Sequence, residues 1–345
     1  MQSFQPDFSY IEKVLRREPV DRPVLFEFFM NDHVYRSFAA PRNLPEKDRD
    51  LQDRVLMIDA FVHAGYDYAT LLPGSEFFFP HTGEDHGSGR TYSLNIGSHL
   101  DSWERFEDYP WPDAETADIS YAQRLIPYLH EGMKLIASGP GGLEEIVISL
   151  TGYENLCFMM HDQSELVDAL FDAVGSRLVS YYRRISAFDH IGACISNDDW
   201  GFNTQTLLSP KQMERWVFPW HKRIADTVHE AGKPVILHSC GNIYSVFHRV
   251  TEYIGYDGKH SYEDSILPVE QAWERYHDQI AVLGGIDMNF MIMEDKKAIY
   301  NRSRALLEKT AAQGGFALGT GNSVPDYLPT EQFIAMLQAA WDLRK

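Results

Sequence analysis

The sequence predicts an α/β protein built as a (β/α)8 TIM barrel, because short apolar strands alternate eight times with helix-length amphipathic stretches. The 345 residues are enough for one barrel domain over residues 1–345. A doubly wound open sheet is the alternative, and it is disfavoured because no Gly-x-Gly-x-x-Gly motif opens the first unit. The candidate strands are Val24–Phe29, Tyr66–Leu72, Lys134–Ser138, Ala193–Asn197, Val235–His238, Gly255–Ser261, Ile280–Gly284 and Phe316–Gly319.

Helices are predicted where apolar residues recur at steps of three and four. The clearest case spans residues 164–188, in which leucine or valine occupies every fourth position from Leu166 to Leu178. Gly232 and Gly314 stand just past predicted helices, as C-capping residues do. The predicted helices are Asp48–Ala64, Ser164–Phe188, Ser209–Ala231, Val269–Tyr276, Asp295–Gln313 and Thr330–Trp341.

Residues 74–117 interrupt the alternation between the second and third predicted strands. Glycines cluster over residues 83–89, a strand-like run follows at 91–96, and Tyr-Pro-Trp-Pro occupies 109–112. This pattern is typical of a hairpin followed by an irregular segment. We expect an insertion that forms either a lid or wall over the mouth of the barrel, or a packed excursion.

Composition excludes several classes of function. The formal net charge of −19 disfavours nucleic-acid binding, which needs clustered lysine and arginine. No run of about eighteen apolar residues predicts a membrane span. Three cysteines are too few for a disulfide framework, and the polar N-terminus lacks a signal-peptide core, so we expect a reduced, cytoplasmic protein. The C-terminal region, with Trp341, is compatible with a homodimer.

The segment from Pro234 to Gly241 is the most informative in the chain. An apolar strand ends on His238, and Cys240 follows one residue later. Imidazole and thiolate are both zinc ligands, and the ends of strands are where α/β proteins place their chemistry. We interpret His238 and Cys240 as metal ligands, most consistent with zinc; the alternative is an ordinary strand-to-helix turn with a buried thiol.

A catalytic zinc site takes three protein ligands and keeps one position open. Glu263 is the leading third ligand, because it follows Cys240 by 23 positions and lies at the end of the next predicted strand. The substitutes at neighbouring strand ends are His260, Asp264 and Asp287.

Other polar residues at the predicted strand ends complete the candidate site. Asp199 and Glu145 are the candidate catalytic acid/base groups. Because adjacent side chains point apart, we expect one of Asp198 and Asp199 to face the cavity and the other to cap a helix. The candidate substrate-binding residues are Glu27, Asn31, Glu76, Asp198 and Asn322.

Several of these stretches together resemble the uroporphyrinogen decarboxylase superfamily, and most closely its methyltransferase-like branch. His-x-Cys-Gly is the most specific match, and the others mainly identify the fold. The matching stretches are Arg17–Pro23, Gly152–Asn155, Asp198–Gly201, Leu208–Pro210, Ile236–Asn242 and Leu283–Asp287.

The resemblance implies a (β/α)8 barrel and assigns zinc to His238 and Cys240. In zinc methyltransferases of this branch a later cysteine near strand eight completes the site, whereas this chain has Leu-Gly-Thr-Gly-Asn-Ser over residues 318–323. Cobalamin-independent methionine synthase has a related arrangement with a glutamate soon after His-x-Cys, which favours Glu263 in that role.

The resemblance also implies a function: transfer of a methyl group between a corrinoid (cobalamin-type) carrier and a thiol or methoxy-type small-molecule substrate. A corrinoid-binding protein is the expected partner. Two alternatives stay open, a cofactor-free decarboxylase of the uroporphyrinogen type and a non-catalytic barrel that binds a small molecule. The decarboxylase is disfavoured because residues 25–32 carry acids and aromatic rings where that enzyme has an arginine-rich motif for substrate carboxylates.

Overall fold

A parallel β-sheet of seven strands forms the centre of the protein, and each strand pairs with the next one along the chain. The computed structural model describes residues 4–42, 44, 48–74, 77–80 and 100–344. Sequential parallel pairing is the arrangement of a curled barrel wall, in which all carboxyl ends of the strands meet at one rim. The strands are β1 Tyr68–Leu71, β2 Lys134–Ser138, β3 Ile191–Asn197, β4 Val235–His238, β5 Gly258–His260, β6 Ala281–Leu283 and β7 Phe316–Ala317.

The helices that connect these strands pack on the outside of the sheet, as parallel βαβ units require. A 3-10 turn at Ile126–Tyr128 and a π-helical turn at Arg249–Ile254 add to them. The α-helices are α1 Ser9–Leu15, α2 Asp32–Phe38, α3 Arg49–Ala64, α4 Trp103–Asp108, α5 Tyr121–Arg124, α6 Leu143–Thr151, α7 Tyr153–Asp162, α8 Ser164–Ser186, α9 Pro210–Trp216, α10 Phe218–Glu230, α11 Val269–Tyr276, α12 Met288–Met293, α13 Lys296–Thr310 and α14 Thr330–Leu343.

Seven of the eight predicted strands are confirmed, and the first is not a regular strand. At Val24–Phe29 the sheet contains only one isolated parallel bridge, between Leu25 and Leu318. On the side of this segment that faces β1, the Tyr68 hydroxyl hydrogen-bonds both backbone groups of Glu27. It accepts from the amide at 2.8 Å and donates to the carbonyl at 2.5 Å. The bulky Tyr68 side chain therefore separates this segment from β1, and the backbone ladder is a seven-stranded half-barrel.

The long amphipathic stretches are helices as predicted, with one division. The predicted helix Ser209–Ala231 breaks at Val217 into α9 and α10. Pro219 lies in the first turn of α10, where its missing N–H does no harm, whereas inside one continuous helix it would remove a hydrogen bond. Within the described residues, no helix is both long enough and apolar enough to cross a membrane.

Part of the predicted insertion at 74–117 lies outside the described residues. The predicted hairpin over residues 83–96 lies outside the described residues, and so does Glu76. The described remainder contains α4 and the buried Tyr109, whose hydroxyl donates to the carbonyl of Pro80 at 2.9 Å.

The N-terminal segment covers the amino ends of the strands. The amide of Asp7 donates to Asp67 just before β1, and the amide of Phe8 donates to the carbonyl of Gly132 just before β2. The Phe8 ring lies against Gly192 in β3 and is buried. The N-terminal segment therefore closes this end of the sheet, and the candidate site residues lie at the opposite, carboxyl end.

Replacing Tyr68 with phenylalanine should lower the free energy of unfolding by about 2–4 kcal/mol, because the buried amide and carbonyl of Glu27 both lose their partner. The measurement is urea unfolding followed by circular dichroism. Tyr253, which is 41% exposed, supplies the matched control: Tyr253→Phe should change the free energy by less than about 0.5 kcal/mol. Equal small effects from both substitutions would contradict this account of the join between the first segment and β1.

Candidate metal centre

Three potential metal ligands converge at the carboxyl ends of β3 and β4. One ligand atom from each of Asp199, His238 and Cys240 lies within 4.8 Å of the others. The parallel register brings them together, since Asn197 of β3 pairs with His238 of β4 and Asp199 follows two residues later. Cys240 Sγ lies 3.8 Å from His238 Nε2, and Asp199 Oδ1 accepts the Cys240 amide at 2.8 Å.

The loop after Cys240 is held in place by a glycine and by Glu263. Gly241 has a φ of +78°, and a Cβ there would lie 2.0 Å from the carbonyl oxygen of Gly201, so only glycine permits this close approach. The Glu263 carboxylate accepts the Gly241 amide at 3.2 Å. Glu263, the predicted third ligand, thus contacts the loop from outside the group of three, whose third member is Asp199.

The thiol of Cys240 is surrounded by hydrogen-bond donors and by a carboxylate. Asn322 Nδ2 lies 3.3 Å from the sulfur, and Ser261 Oγ lies 3.5 Å from it. Burial and the adjacent Asp199 carboxylate raise the pKa of the Cys240 thiol to about 12. Asn322, predicted to contact substrate, is therefore a partner of the cysteine sulfur at the same site.

The imidazole of His238 is buried against a second histidine. His238 Nδ1 lies 2.7 Å from Nδ1 of His260, and His260 Nε2 lies 3.2 Å from the carbonyl oxygen of Thr320. Burial lowers the pKa of His238 well below its usual range and that of His260 to about 3, so both rings are neutral at physiological pH.

Asp198 and Asp199 point in opposite directions, and Asp198 caps a helix as the sequence predicts for one of the pair. The Asp198 carboxylate accepts the amides of Glu144 and Glu145 in the first turn of α6, at 2.9 and 3.0 Å. It also accepts from Trp200 Nε1 and contacts His221 Nε2 at 3.0 and 2.8 Å. With its side chain fully buried by these partners, Asp198 is suited to position α6 rather than to contact substrate, its predicted role.

Glu145 completes an acidic group beside the three ligands. Burial and the charges of Asp198 and Asp199 raise the pKa of Glu145 to about 8. Burial likewise raises the pKa of Asp199, and the hydrogen bond from the Cys240 amide opposes that increase. Gly142 allows this crowding, because a Cβ there would lie 2.1 Å from Asp198 and 2.5 Å from Glu145. At neutral pH Glu145 therefore holds a proton next to the candidate ligands.

Glu27 and Asn31, both predicted to bind substrate, have internal partners. Asn31 caps α2 by accepting the Val34 amide at 2.9 Å, and its Nδ2 donates to the carbonyl of Pro325 at 2.7 Å. Glu27 is fully buried, with its two oxygens 2.7 Å from the Thr320 amide and 2.6 Å from the Thr320 hydroxyl. These contacts connect the first segment to the end of β7.

Burial raises the pKa of Glu27 to about 8, and the hydrogen bond from the Thr320 amide only partly opposes this effect. The hydrogen bonds agree with a protonated carboxyl. The Thr320 hydroxyl also contacts the carbonyl of Asn322, which must accept the hydroxyl's single hydrogen, so the proton between Thr320 and Glu27 is supplied by Glu27.

Lys259 is a functional candidate that the sequence reasoning missed. Its side chain is buried, its ammonium group donates to the carbonyl of Ser261, and it lies 4.3 Å from the centre of the Tyr262 ring. Burial lowers the pKa of Lys259 to about 8, while nearby Cys240, Glu263 and Asp199 act in the opposite direction. An isolated lysine between Gly258 and His260 on a short strand carries no sequence signal that separates it from a surface lysine.

Fold and site together define an α/β barrel-type protein with a candidate metal centre at the rim formed by the strand ends. The family model described as uroporphyrinogen decarboxylase (URO-D) matches residues 95–343. The match covers well over half of the chain, so the chain belongs to the uroporphyrinogen decarboxylase family, a family of enzymes.

Individual relatives agree with this membership. A uroporphyrinogen decarboxylase from Anaeromyxobacter dehalogenans is 22% identical over 94% of this chain and 95% of its own length. One from Carboxydothermus hydrogenoformans is 23% identical over 67% of this chain and 68% of its own length. A methyltransferase from Methanosarcina mazei has the same fold, with a TM-score of 0.70, 15% identity and 98% coverage of both chains.

Replacing Glu27 with glutamine should change how stability depends on pH. A carboxyl with a folded pKa near 8 and a usual value of 4.5 binds more protons in the folded state between those values, so its contribution to stability is lost as pH rises through that window. Glutamine keeps both hydrogen bonds and does not ionise. Relative to wild type, Glu27→Gln should therefore become progressively more stable from pH 5 to pH 8 in urea unfolding.

The exposed Glu308 supplies the control, since Glu308→Gln should follow the wild-type pH dependence. Parallel curves for Glu27→Gln and wild type would show that Glu27 does not hold a proton in the folded protein.

Proposed function

We propose that this chain is a zinc-dependent methyltransferase that moves a methyl group between a corrinoid carrier and a thiol or methoxy-type substrate, with a corrinoid-binding protein as partner. The observation that carries the proposal is the convergence of Asp199, His238 and Cys240 within 4.8 Å at the rim of the barrel. Membership of the family and the fold shared with a methyltransferase support it.

The residues present suit zinc. Imidazole nitrogen, thiolate sulfur and carboxylate oxygen are its usual protein ligands, and three of them leave a position open for substrate. Burial raises the pKa of both Asp199 and Cys240, and a bound divalent cation would favour the ionised forms that act as ligands. When bound, zinc would lower the pKa of a substrate thiol, or polarise a methoxy oxygen, at neutral pH.

Within the proposal, Glu145 moves the proton that the reaction requires. With its pKa near 8, Glu145 is protonated at neutral pH and gives its proton to the leaving oxygen when a methoxy substrate loses its methyl group. With a thiol acceptor the ionised form takes the thiol proton instead. Asp198 keeps this group in place, because it accepts the Glu145 amide at 3.0 Å.

The second candidate function is decarboxylation of the uroporphyrinogen type, which the names of the two curated relatives favour. Its substrate carries many carboxylates. Asp199 and Glu263 accept the adjacent amides of Cys240 and Gly241 at the rim, and carboxylates there repel a polyanion unless arginines offset them. This reaction needs no metal, so metal binding separates the two candidates.

Zinc binding should require Asp199, His238 and Cys240. We expect about one zinc per chain after the protein is loaded and desalted, and almost none in the His238→Ala/Cys240→Ala double variant. Asp199→Asn should weaken affinity by about 10–100-fold or more, whereas Glu263→Gln should retain the metal. The measurements are elemental analysis and competition with a chromophoric chelator.

Cys157→Ala is the matched control for loss of a thiol, because Cys157 is exposed and should have no effect on zinc. Loss of zinc in Glu263→Gln but not in Asp199→Asn would make Glu263 the third ligand. A wild-type protein that holds no zinc would overturn the proposed mechanism and favour the decarboxylase.

Glu145→Gln should lower the rate of methyl transfer from methylcobalamin to a small thiol by about 10²-fold or more, because glutamine cannot exchange a proton. The wild-type rate should rise with pH up to about 8, as Glu145 ionises, and the variant should lack this component. Zinc content is measured in the same samples. A variant with normal zinc and a wild-type pH profile would exclude Glu145 as the proton-transfer group.

A further inference from the structure

We propose that His260 is a positioning residue that fixes the tautomer of His238, so that Nδ1 of His238 carries the hydrogen and Nε2 presents a free lone pair beside Cys240. The use of that lone pair as a metal ligand rests on the proposed function. The tautomer itself is a property of the metal-free chain and can be measured separately.

The hydrogen-bond partners determine which nitrogen carries each hydrogen. The carbonyl oxygen of Thr320 can only accept, so His260 Nε2, 3.2 Å away, carries the hydrogen of that ring. His260 Nδ1 is then an acceptor, and His238 Nδ1 at 2.7 Å must donate to it. The remaining nitrogen of His238, Nε2, has no hydrogen and lies 3.8 Å from Cys240 Sγ.

The opposite assignment fails on the same contacts. A hydrogen on His238 Nε2 would require His260 to donate from Nδ1, and His260 Nε2 would then face the Thr320 carbonyl as a second acceptor. His260 and Thr320 are both fully buried, so no water would replace the lost donor, and two unsatisfied acceptors would destabilise the fold.

Both rings are held by packing on two adjacent strands. His238 of β4 and His260 of β5 are paired in the parallel register, and their ring centres lie 4.9 Å apart. The Phe28 ring lies 4.7 Å from His238, and the Phe26 ring lies 5.3 Å from His260. Rotation of either imidazole would displace these buried aromatic side chains.

The Thr320 carbonyl, which accepts the hydrogen bond from His260, is also held in place. The Thr320 carbonyl also accepts the Gly285 amide at 2.9 Å, and the Thr320 amide donates to Glu27 at 2.7 Å. A chain of hydrogen bonds therefore runs from Glu27 through Thr320 and His260 to His238. Second-shell partners of this kind orient imidazole ligands and select their tautomer.

The test uses the full-length, metal-free protein labelled with 15N-histidine and two- and three-bond 1H–15N correlations at pH 7, which report the tautomer of each ring. Signals are assigned with single histidine variants. Wild type should show His238 with hydrogen on Nδ1 and His260 with hydrogen on Nε2. The opposite tautomer of His238 in wild type would overturn the inference.

Two variants separate positioning from simple packing. His260→Phe keeps a ring but removes the acceptor, so His238 should become a mixture of tautomers and zinc affinity should fall by about 10–100-fold. His260→Asn restores an acceptor and should recover most of both effects. An unchanged His238 tautomer in a folded His260→Phe protein would contradict the inference.

The outcomes also distinguish this inference from the proposed function. The expected tautomers in a wild-type protein that binds no zinc would support the positioning role and reject the zinc mechanism. Zinc binding with hydrogen on Nε2 of metal-free His238 would support the zinc site and reject the positioning role.

Discussion

The parallel register of β3, β4 and β5 is the constraint on which the candidate site depends. Asn197, His238 and His260 are paired in succession, so the residues that follow each strand meet at one rim. The same packing excludes water, and that exclusion produces the unusual electrostatics: neutral imidazoles, a protonated Glu145 and a Cys240 thiol that resists ionisation. In these protonation states the groups carry little charge, and the proposed zinc would favour the ionised forms of Asp199 and Cys240.

The two adjacent acidic residues at the end of β3 have different partners: Asp198 positions α6, and Asp199 lies beside Cys240. Asp198 accepts amides from the first turn of α6 and contacts His221, while Asp199 accepts the Cys240 amide. The carboxylate of Asp198 at the helix N-terminus therefore fixes Glu145 relative to Asp199. Glu27 plays a comparable supporting role across the sheet, since it joins the irregular first segment to Thr320 and through it to His260.

Strong local patterns made much of this predictable from sequence. Apolar runs identified seven strands, His-x-Cys identified two of the three convergent residues that could hold a metal, and the adjacency of Asp198 and Asp199 predicted that they would diverge. Contacts between distant residues were not predictable. Whether Asp199 or Glu263 lies beside His238 and Cys240 depends on which way each loop turns. The contact between His238 and His260 depends on the β4–β5 register. The prediction of the first strand was wrong because the Tyr68 hydroxyl, rather than a neighbouring strand, hydrogen-bonds the backbone amide and carbonyl of Glu27.

The chain departs from the zinc methyltransferases that it resembles by lacking their later cysteine, and the structure suggests how a site without it would be balanced. A carboxylate in place of a thiolate keeps the ligand charge the same, so Asp199 with Cys240 and neutral His238 would still offset a divalent ion. Asn322, in the stretch where that cysteine is absent, donates toward the Cys240 sulfur at 3.3 Å. A hydrogen-bonded thiolate and a harder oxygen ligand both leave less electron density on a bound metal, which makes it a stronger Lewis acid. In the proposed reaction such a metal would favour substrates that bind through oxygen, as a methoxy-type substrate does.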